Sequence, residues 1–268
     1  MTIEAFAPAK INLTLHVTGQ RHDGYHLLDS LVVFGDVGDR IWIEPADEMS
    51  LEITGPFAQG VPADARNLVW KAAELAGHTA HIRLEKNLPH GAGIGGGSSD
   101  AGALLAALGC ADTGVSLGAD VPVCRLGQAA RMSGIGDMVE PFLGMPSLFA
   151  VLVNPGVHVP TPQVFKALTK KENSSMTGEF STHDTAAALI DWVSDQRNDL
   201  EAAAIACAPE IAGVLEVLRG QPNQKLVRMS GSGGTCFALF ETVADAHIAT
   251  AAISVQSPDW WVVDCALS

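Results

Sequence analysis

From Ile11 the apolar residues Ile11, Leu13, Leu15 and Val17 alternate with Asn12, Thr14, His16 and Thr18, the period of two of a strand with one buried face. On that pattern Asn12 points away from the core. Residues 19–24 are polar and glycine-bearing and predict a turn, followed by strands over 27–34, 40–44 and 49–53. Residues 66–76 (RNLVWKAAELA) carry apolar side chains at helical spacing and stop at Gly77, a usual left-handed helix end. A strand over 81–85 and a closely packed helix over 98–108 complete the first half. The second half predicts strands at 148–153, 225–230, 235–240 and 260–265 and helices at 162–169, 186–193, 199–218 and 242–253. The polar stretch 170–185 (KKENSSMTGEFSTHDT) predicts a surface loop. Together these elements make an α+β chain of two domains, 1–144 and 145–268, divided near Gly144.

Composition narrows the function. A chain of 268 residues that is 47% hydrophobic can bury a large core. Its formal charge of -14, with no run of Lys or Arg, argues against nucleic-acid and membrane partners. An anionic ligand must then be held by local donors: backbone N–H groups, a helix N-terminus, a few cationic side chains or a metal ion. Five scattered cysteines read as reduced, buried thiols. The first residues lack the apolar core of a signal peptide, and no run of apolar residues is long enough to span a bilayer, so the expected location is cytoplasmic. His22 and His26 are four apart but flank a turn, so no metal site is read there. Oligomeric state leaves no mark in the sequence.

The segment PHGAGIGGGSSD, residues 89–100, concentrates the chemistry. Glycines at 91, 93, 95, 96 and 97 let the backbone approach a polyanion and expose its N–H groups, and the helix that starts here adds its dipole. Ser98 and Ser99 can add hydroxyls to phosphate or Mg2+. Gly91, Gly93 and Gly96 also satisfy a dinucleotide-binding G-x-G-x-x-G, but 109–118 (GCADTGVSLG) is turn-like where that fold needs a second strand ending in an acid. A Walker A loop requires a lysine before Ser98, and a protein-kinase loop requires a lysine-bearing strand after it; both are missing. The remaining structural alternative is a glycine-rich packing turn.

Three blocks together, PAKINLTLHVTGQRHDGYH, PHGAGIGGGSSDAGALLAAL and MSGSGGTCFALF, resemble the GHMP family of small-molecule kinases. With SLGADVPV, NPGVHVPTPQVF and RNDLE, the first block is similar to the branch that phosphorylates a cytidine-diphosphate-bearing alcohol in isoprenoid-precursor synthesis. The resemblance covers nearly the whole chain. It implies an N-terminal domain like ribosomal protein S5 domain 2, a C-terminal ferredoxin-like domain, and ATP with Mg2+ as phosphoryl donor and cofactor. Within the family, mevalonate, homoserine or a sugar is the alternative acceptor; a non-catalytic nucleotide sensor on the same fold is the alternative to an enzyme.

The resemblance also implies roles. Asp120 matches the catalytic acid position and Lys10 the catalytic lysine, while Asn12 lies near the reacting hydroxyl. Pro89, His90, Gly91, Ala92, Gly93, Ile94, Gly95, Gly96, Gly97, Ser98, Ser99 and Asp100 would line ATP, with Asn67 at the adenine and Ser99 a possible ligand of Mg2+. Tyr25, the chain's one tyrosine, and His26 would contact the cytosine, with Phe165 on the opposite face of the base. Structural alternatives stand beside these: a helix N-cap for Asp120, a solvated lysine for Lys10, a strand-edge aromatic for Tyr25, and a plain turn for the second glycine loop at 230–235. The family usually has a longer connection where 109–118 lies, which puts the orientation of Asp120 in question.

Overall fold

The computed structural model describes residues 1–178 and 183–268, so the predicted loop over 170–185 lies partly, at 179–182, outside the described residues. The first half comprises β1 (Ile3–Asn12), β2 (His16–Gln20), β3 (His26–Pro45), β4 (Ser50–Thr54), α1 (Leu68–Leu75), β5 (Ala80–Glu85), α2 (Gly96–Ala107), α3 (Val121–Leu126), β6 (Ala130–Gly134) and β7 (Met138–Pro141). Strand β3 organises them. Its first part pairs with β2 and β6, and its last part with β1 on one side and β5 on the other. The sequence GDVGD at 35–39 suggests a break, yet β3 runs through it. Gly38 serves close strand approach instead, since a Cβ there would lie 2.2 Å from the Ala7 carbonyl oxygen.

The second half comprises β8 (Leu148–Asn154), α4 (Thr161–Ala167), α5 (Ala186–Ser194), α6 (Glu201–Cys207), α7 (Glu210–Arg219), β9 (Leu226–Met229), β10 (Cys236–Phe240), α8 (Val243–Gln256) and β11 (Trp261–Leu267). Its antiparallel sheet has the order β11-β8-β10-β9. In chain order of these strands that is fourth, first, third, second, the ferredoxin-like arrangement. The helix predicted over 199–218 is two helices, because Pro209 cannot continue α6 and instead starts α7. Strands β11 and β3 join the two sheets through Leu267 and Gly35, reinforced by reciprocal backbone bonds between Phe34 and Ser268 at 2.8 Å. No helix among the described residues is long and apolar enough to cross a membrane.

The alternating stretch from Ile11 to Val17 departs from its expected form. It is interrupted between β1 and β2, and both of its faces are buried: Asn12, Thr14 and His16 are 0% exposed, like Ile11, Leu13 and Val17. The polar face is covered by the second half. Asn12 N–H donates to Ser230 Oγ, the Met176 sulfur lies 3.0 Å from Thr14 Oγ1, and the Leu15 and Asp199 backbones exchange bonds with their neighbours. Polar alternation here marks a face turned to a hydrogen-bonded seam, a distinction that period alone does not make.

Arg228 closes that seam. Its buried guanidinium donates to the Leu13 and Val193 carbonyls at 2.7 and 3.2 Å and to the Gln196 carbonyl at 2.8 Å. Burial lowers its pKa to about 10, against the opposing charge of Glu201, so it stays charged at neutral pH. Replacing Arg228 with Met takes the guanidinium donor from three buried carbonyls, of which Val193 still accepts from Gln196 N–H at 3.0 Å, and we expect a loss of about 3 kcal/mol in urea unfolding with an unchanged m-value. A loss under about 1 kcal/mol would show that water replaces the guanidinium at these carbonyls.

Candidate active site

The glycine loop is threaded between β1 and the turn joining β9 to β10. Lys10 N–H donates to the Ile94 carbonyl, Thr235 N–H to the Ala92 carbonyl, and Ser230 Oγ to the Gly93 carbonyl, all at 2.9 to 3.0 Å. Only glycine fits at Gly93: its φ is +71°, and a Cβ would fall 2.4 Å from the Ser230 carbonyl oxygen. The loop then enters α2 through Gly95 with no side-chain cap. The N–H groups of the first turn are therefore left for an anion, beside the positive end of the helix dipole.

Lys10 lies two residues before the end of β1, beneath this loop, with a nearly buried side chain. Its ammonium donates to Asp120 Oδ2 at 2.8 Å and to Asn12 Oδ1 at 3.0 Å. Asn12 is fixed in turn by donating to Ser30 Oγ at 2.8 Å. Asp120 occupies the N-cap position of α3 but makes no capping bond, because its carboxylate turns to Lys10. The short connection at 109–118 thus leaves Asp120 in reach of Lys10. Both residues, with Asn12, line a cleft of about 940 Å³ whose walls include Gly93, Gly95, Gly96, Gly97 and Ser98.

At the far end of the cleft stand Tyr25, His26 and Phe165. Tyr25 is 59% exposed, whereas His26 stacks on Phe165 with ring centroids 4.7 Å apart. One face of Phe165 is therefore already covered by His26. Burial, then the charge of Lys171, lowers the His26 pKa, which keeps the ring neutral at neutral pH; its Nε2 is buried with no hydrogen-bond partner. Residues that no motif singled out also line this end: Thr161, Lys166 and Lys171. Lysines of a polar loop and a helix surface carry no sequence signal that separates them from solvated ones.

A second cavity of about 550 Å³ lies across the glycine loop, lined by Asn67, Pro89, His90, Gly96, Gly97, Lys86 and Asp100 among others. Asn67 caps α1, accepting from Val69 N–H at 2.9 Å and donating to the Pro62 carbonyl at 2.8 Å, so much of its amide is already used. Ser99 is displaced from its expected role: fully buried, it donates to the Pro8 carbonyl at 2.6 Å and cannot face a metal ion in the cleft. Asp100 is likewise interior, one helical position on. Its Oδ2 accepts from Lys86 at 2.6 Å, Lys86 also donates to Asp39, and Asp100 Oδ1 has no partner. Neither Lys86 nor Asp39 carries a motif signal. The cue present is a lysine set directly after a buried strand, where a charge needs a partner.

Against this geometry, residues 67–143 match the GHMP kinases N terminal domain and residues 179–255 the GHMP kinases C terminal domain. A 4-diphosphocytidyl-2-C-methyl-D-erythritol kinase of Dinoroseobacter shibae is 55% identical over 272 residues, spanning 99% of this chain and 95% of that protein. The chain belongs to the GHMP kinases. A kinase of the same name from Cereibacter sphaeroides is 53% identical, over 97% of each chain. A GHMP kinase solved as 4-(cytidine 5'-diphospho)-2C-methyl-D-erythritol kinase superposes with a TM-score of 0.77 at 33% identity, over 99% of both chains. Homoserine kinase from Cytophaga hutchinsonii shares the fold at a TM-score of 0.65 and 17% identity, over 98% of this chain and 94% of that one.

The Asp100 cluster makes this GHMP kinase pH-dependent in a testable way. Burial pushes the Asp100 carboxyl up to about 8; Lys86 opposes the rise and Asp39 adds to it. The native state therefore keeps a proton that the unfolded chain releases near its ordinary value of 3.8. That contribution to stability is full below about pH 4 and is lost as pH rises through about 8. Asn at position 100 has no such proton, so Asp100→Asn should gain stability relative to the wild type as pH is raised from about 5 to about 8. Urea midpoints measured across that range check it; a constant difference would mean that Asp100 titrates as an ordinary carboxylate.

Proposed function

We propose that this GHMP kinase transfers the γ-phosphoryl group of ATP to the 2-hydroxyl of 4-diphosphocytidyl-2-C-methyl-D-erythritol, in the non-mevalonate route to isoprenoid precursors. The observation that carries the reading is one cleft holding the Lys10–Asp120 pair between the glycine loop and the Tyr25, His26 and Phe165 cluster. Relatives above 50% identity over nearly the full chain, named for that substrate, support it. The free cysteines suit a reducing compartment, and we assign the enzyme to the cytoplasm.

In this reading Asp120 accepts the proton of the 2-hydroxyl as its oxygen bonds to the γ-phosphorus and the bond to the ADP oxygen breaks. Lys10 pairs with that carboxylate and stabilises negative charge at the reacting centre, while Asn12 orients the Lys10 ammonium. The N–H groups at the start of α2 hold phosphate. Tyr25 stacks on the cytosine, Phe165 supplies the facing ring, and His26, stacked on Phe165, completes the base contacts. Mg2+ would screen phosphate charge when bound. It is a hard, oxygen-seeking cation, and the hydroxyl of Ser98 and the carboxylate of Asp120 are oxygen donors lining the cleft beside the loop. Among the described residues no cluster of three His, Cys, Asp or Glu is placed to hold a metal ion.

ADP release from ATP and Mg2+, measured in parallel with the cytidyl substrate, mevalonate, homoserine and galactose, tests the reading; turnover confined to the cytidyl compound is expected. Turnover of another alcohol instead would overturn the substrate while leaving the kinase. Asp120→Asn should keep ATP binding and lose at least about a hundredfold in turnover, and a variant with normal turnover would remove Asp120 from the mechanism. Tyr25→Ala should raise KM for the cytidyl substrate far more than KM for ATP; an equal rise in both would count against the stacking role.

A further inference from the structure

The charges that line the cleft divide into paired and unpaired ones. Lys10 is committed to Asp120 and Asp23 to Arg21, at 2.8 and 2.7 Å. Lys166 and Lys171 also line the cleft, and neither has a carboxylate partner among the described residues. The Lys171 ammonium donates only to the neutral Gln20 Oε1, at 3.0 Å. A chain of net charge -14 has carboxylates in excess, so two unneutralised ammonium groups on one stretch of a cleft wall call for an anion that is not part of the protein.

These lysines are carried on fixed backbone. Two residues beyond Lys171, Asn173 donates to the Val17 carbonyl at 2.9 Å; the Ser174 carbonyl lies 3.2 Å from His16 Nδ1, and Met176 N–H donates to Asp29 Oδ2 at 2.8 Å. Three buried groups of the first sheet thus strap the segment down. Lys166 follows Phe165 in α4, whose Val164 is fully buried and whose Thr161 bonds Ser232 at 2.7 Å. Their location within the cleft is also set. The charge of Lys171 reaches the His26 imidazole, and Lys166 adjoins the ring that His26 stacks on, so both lie beside the cluster assigned to the base.

We propose that Lys166 and Lys171 bind the diphosphate that links the cytidine to the phosphoryl acceptor and so make the enzyme select cytidine diphosphate esters over uncharged cytidines. The assignment rests on the substrate reading above and deepens it. An ammonium on a flexible stem suits this task, since a diphosphate presents several equivalent oxygens and needs charge more than a fixed fork. The diphosphate carries the same charge before and during phosphoryl transfer. The lysines therefore hold ground state and transition state alike, and their loss should appear in KM and spare kcat.

The test compares the wild type with Lys166→Gln, Lys171→Gln and the double variant, each checked for an unchanged melting temperature. The double variant should raise KM for the cytidyl substrate about tenfold or more, with kcat and KM for ATP within about twofold. Lys171→Arg should recover most of the loss seen in Lys171→Gln. Calorimetric titration with CDP and with cytidine supplies a second readout: the wild type should prefer CDP, and the double variant should lose about tenfold of that preference. An unchanged KM and CDP preference in the double variant overturns the proposal, as does a joint rise of both KM values, which would mark a role in the fold. Failure of the wild type to turn over the cytidyl substrate sinks the substrate reading instead, and the CDP-to-cytidine ratio still decides whether the lysines form a diphosphate site.

Discussion

A lysine ammonium placed almost out of water near the end of a strand is the constraint around which the rest is arranged. An unpaired buried cation costs several kcal/mol, so Lys10 requires an anion and further acceptors held at fixed positions. Asp120 arrives from more than a hundred residues away and Asn12 from two residues along the same strand, giving two bonds of 2.8 and 3.0 Å. Room for the stem comes from what is missing above it: a Cβ on Gly95 would lie 3.1 Å from both Cβ and Cε of Lys10. Strand end, glycine loop and the start of α3 are thereby specified together.

The same logic extends into the second half of the chain. Asn12 is held through Ser230, which also bonds the Gly93 carbonyl, so β1, the glycine loop and the β9–β10 turn share one hydroxyl. Hydroxyl and backbone groups do here what apolar packing does elsewhere in the seam, where Ile11 and Leu13 join Leu152 and Phe237 in a common core. A cleft built at such a junction has rigid walls, which suits a reaction that depends chiefly on positioning and charge.

Much of this was legible in the sequence, unevenly and for definite reasons. The glycine loop announced itself because five glycines before two serines have few structural uses, and Lys10, Asp120 and Asn12 stood in motifs that a family resemblance could align. Most elements followed from periodicity. The continuity of β3 did not, because Gly35 and Gly38 look alike whether they turn a chain or let two strands approach. Nor did the burial of Asn12, since alternation separates two faces without saying what covers each. Ser99 and Asp100 sat in the right motif but on the inner side of α2, a matter of helix phase that the adjacent Ser98 resolves only once the helix is placed. The partners Asp39 and Lys86 carried no motif, only a lysine directly after a buried strand, because a buried ion cluster assembled from a strand, a loop and a helix has no spacing to recognise.

An acidic protein that handles two polyanions must keep its charges in separate accounts. At the glycine loop the donors are backbone N–H groups and a helix end, which add no net charge and cannot be neutralised by the surrounding carboxylates. Beside α2 the buried Lys86 is paired with both Asp39 and Asp100, so it offers the second cavity no uncompensated positive charge. At the reacting centre Lys10 is matched to Asp120. Among the described residues that line the cleft, the lysines left without a carboxylate partner are Lys166 and Lys171, the latter carried by a strap fastened by Asn173, Ser174 and Met176 against the general negative field of the chain. Selectivity between anions then comes from where positive charge is left unpaired, and total charge has little say in it.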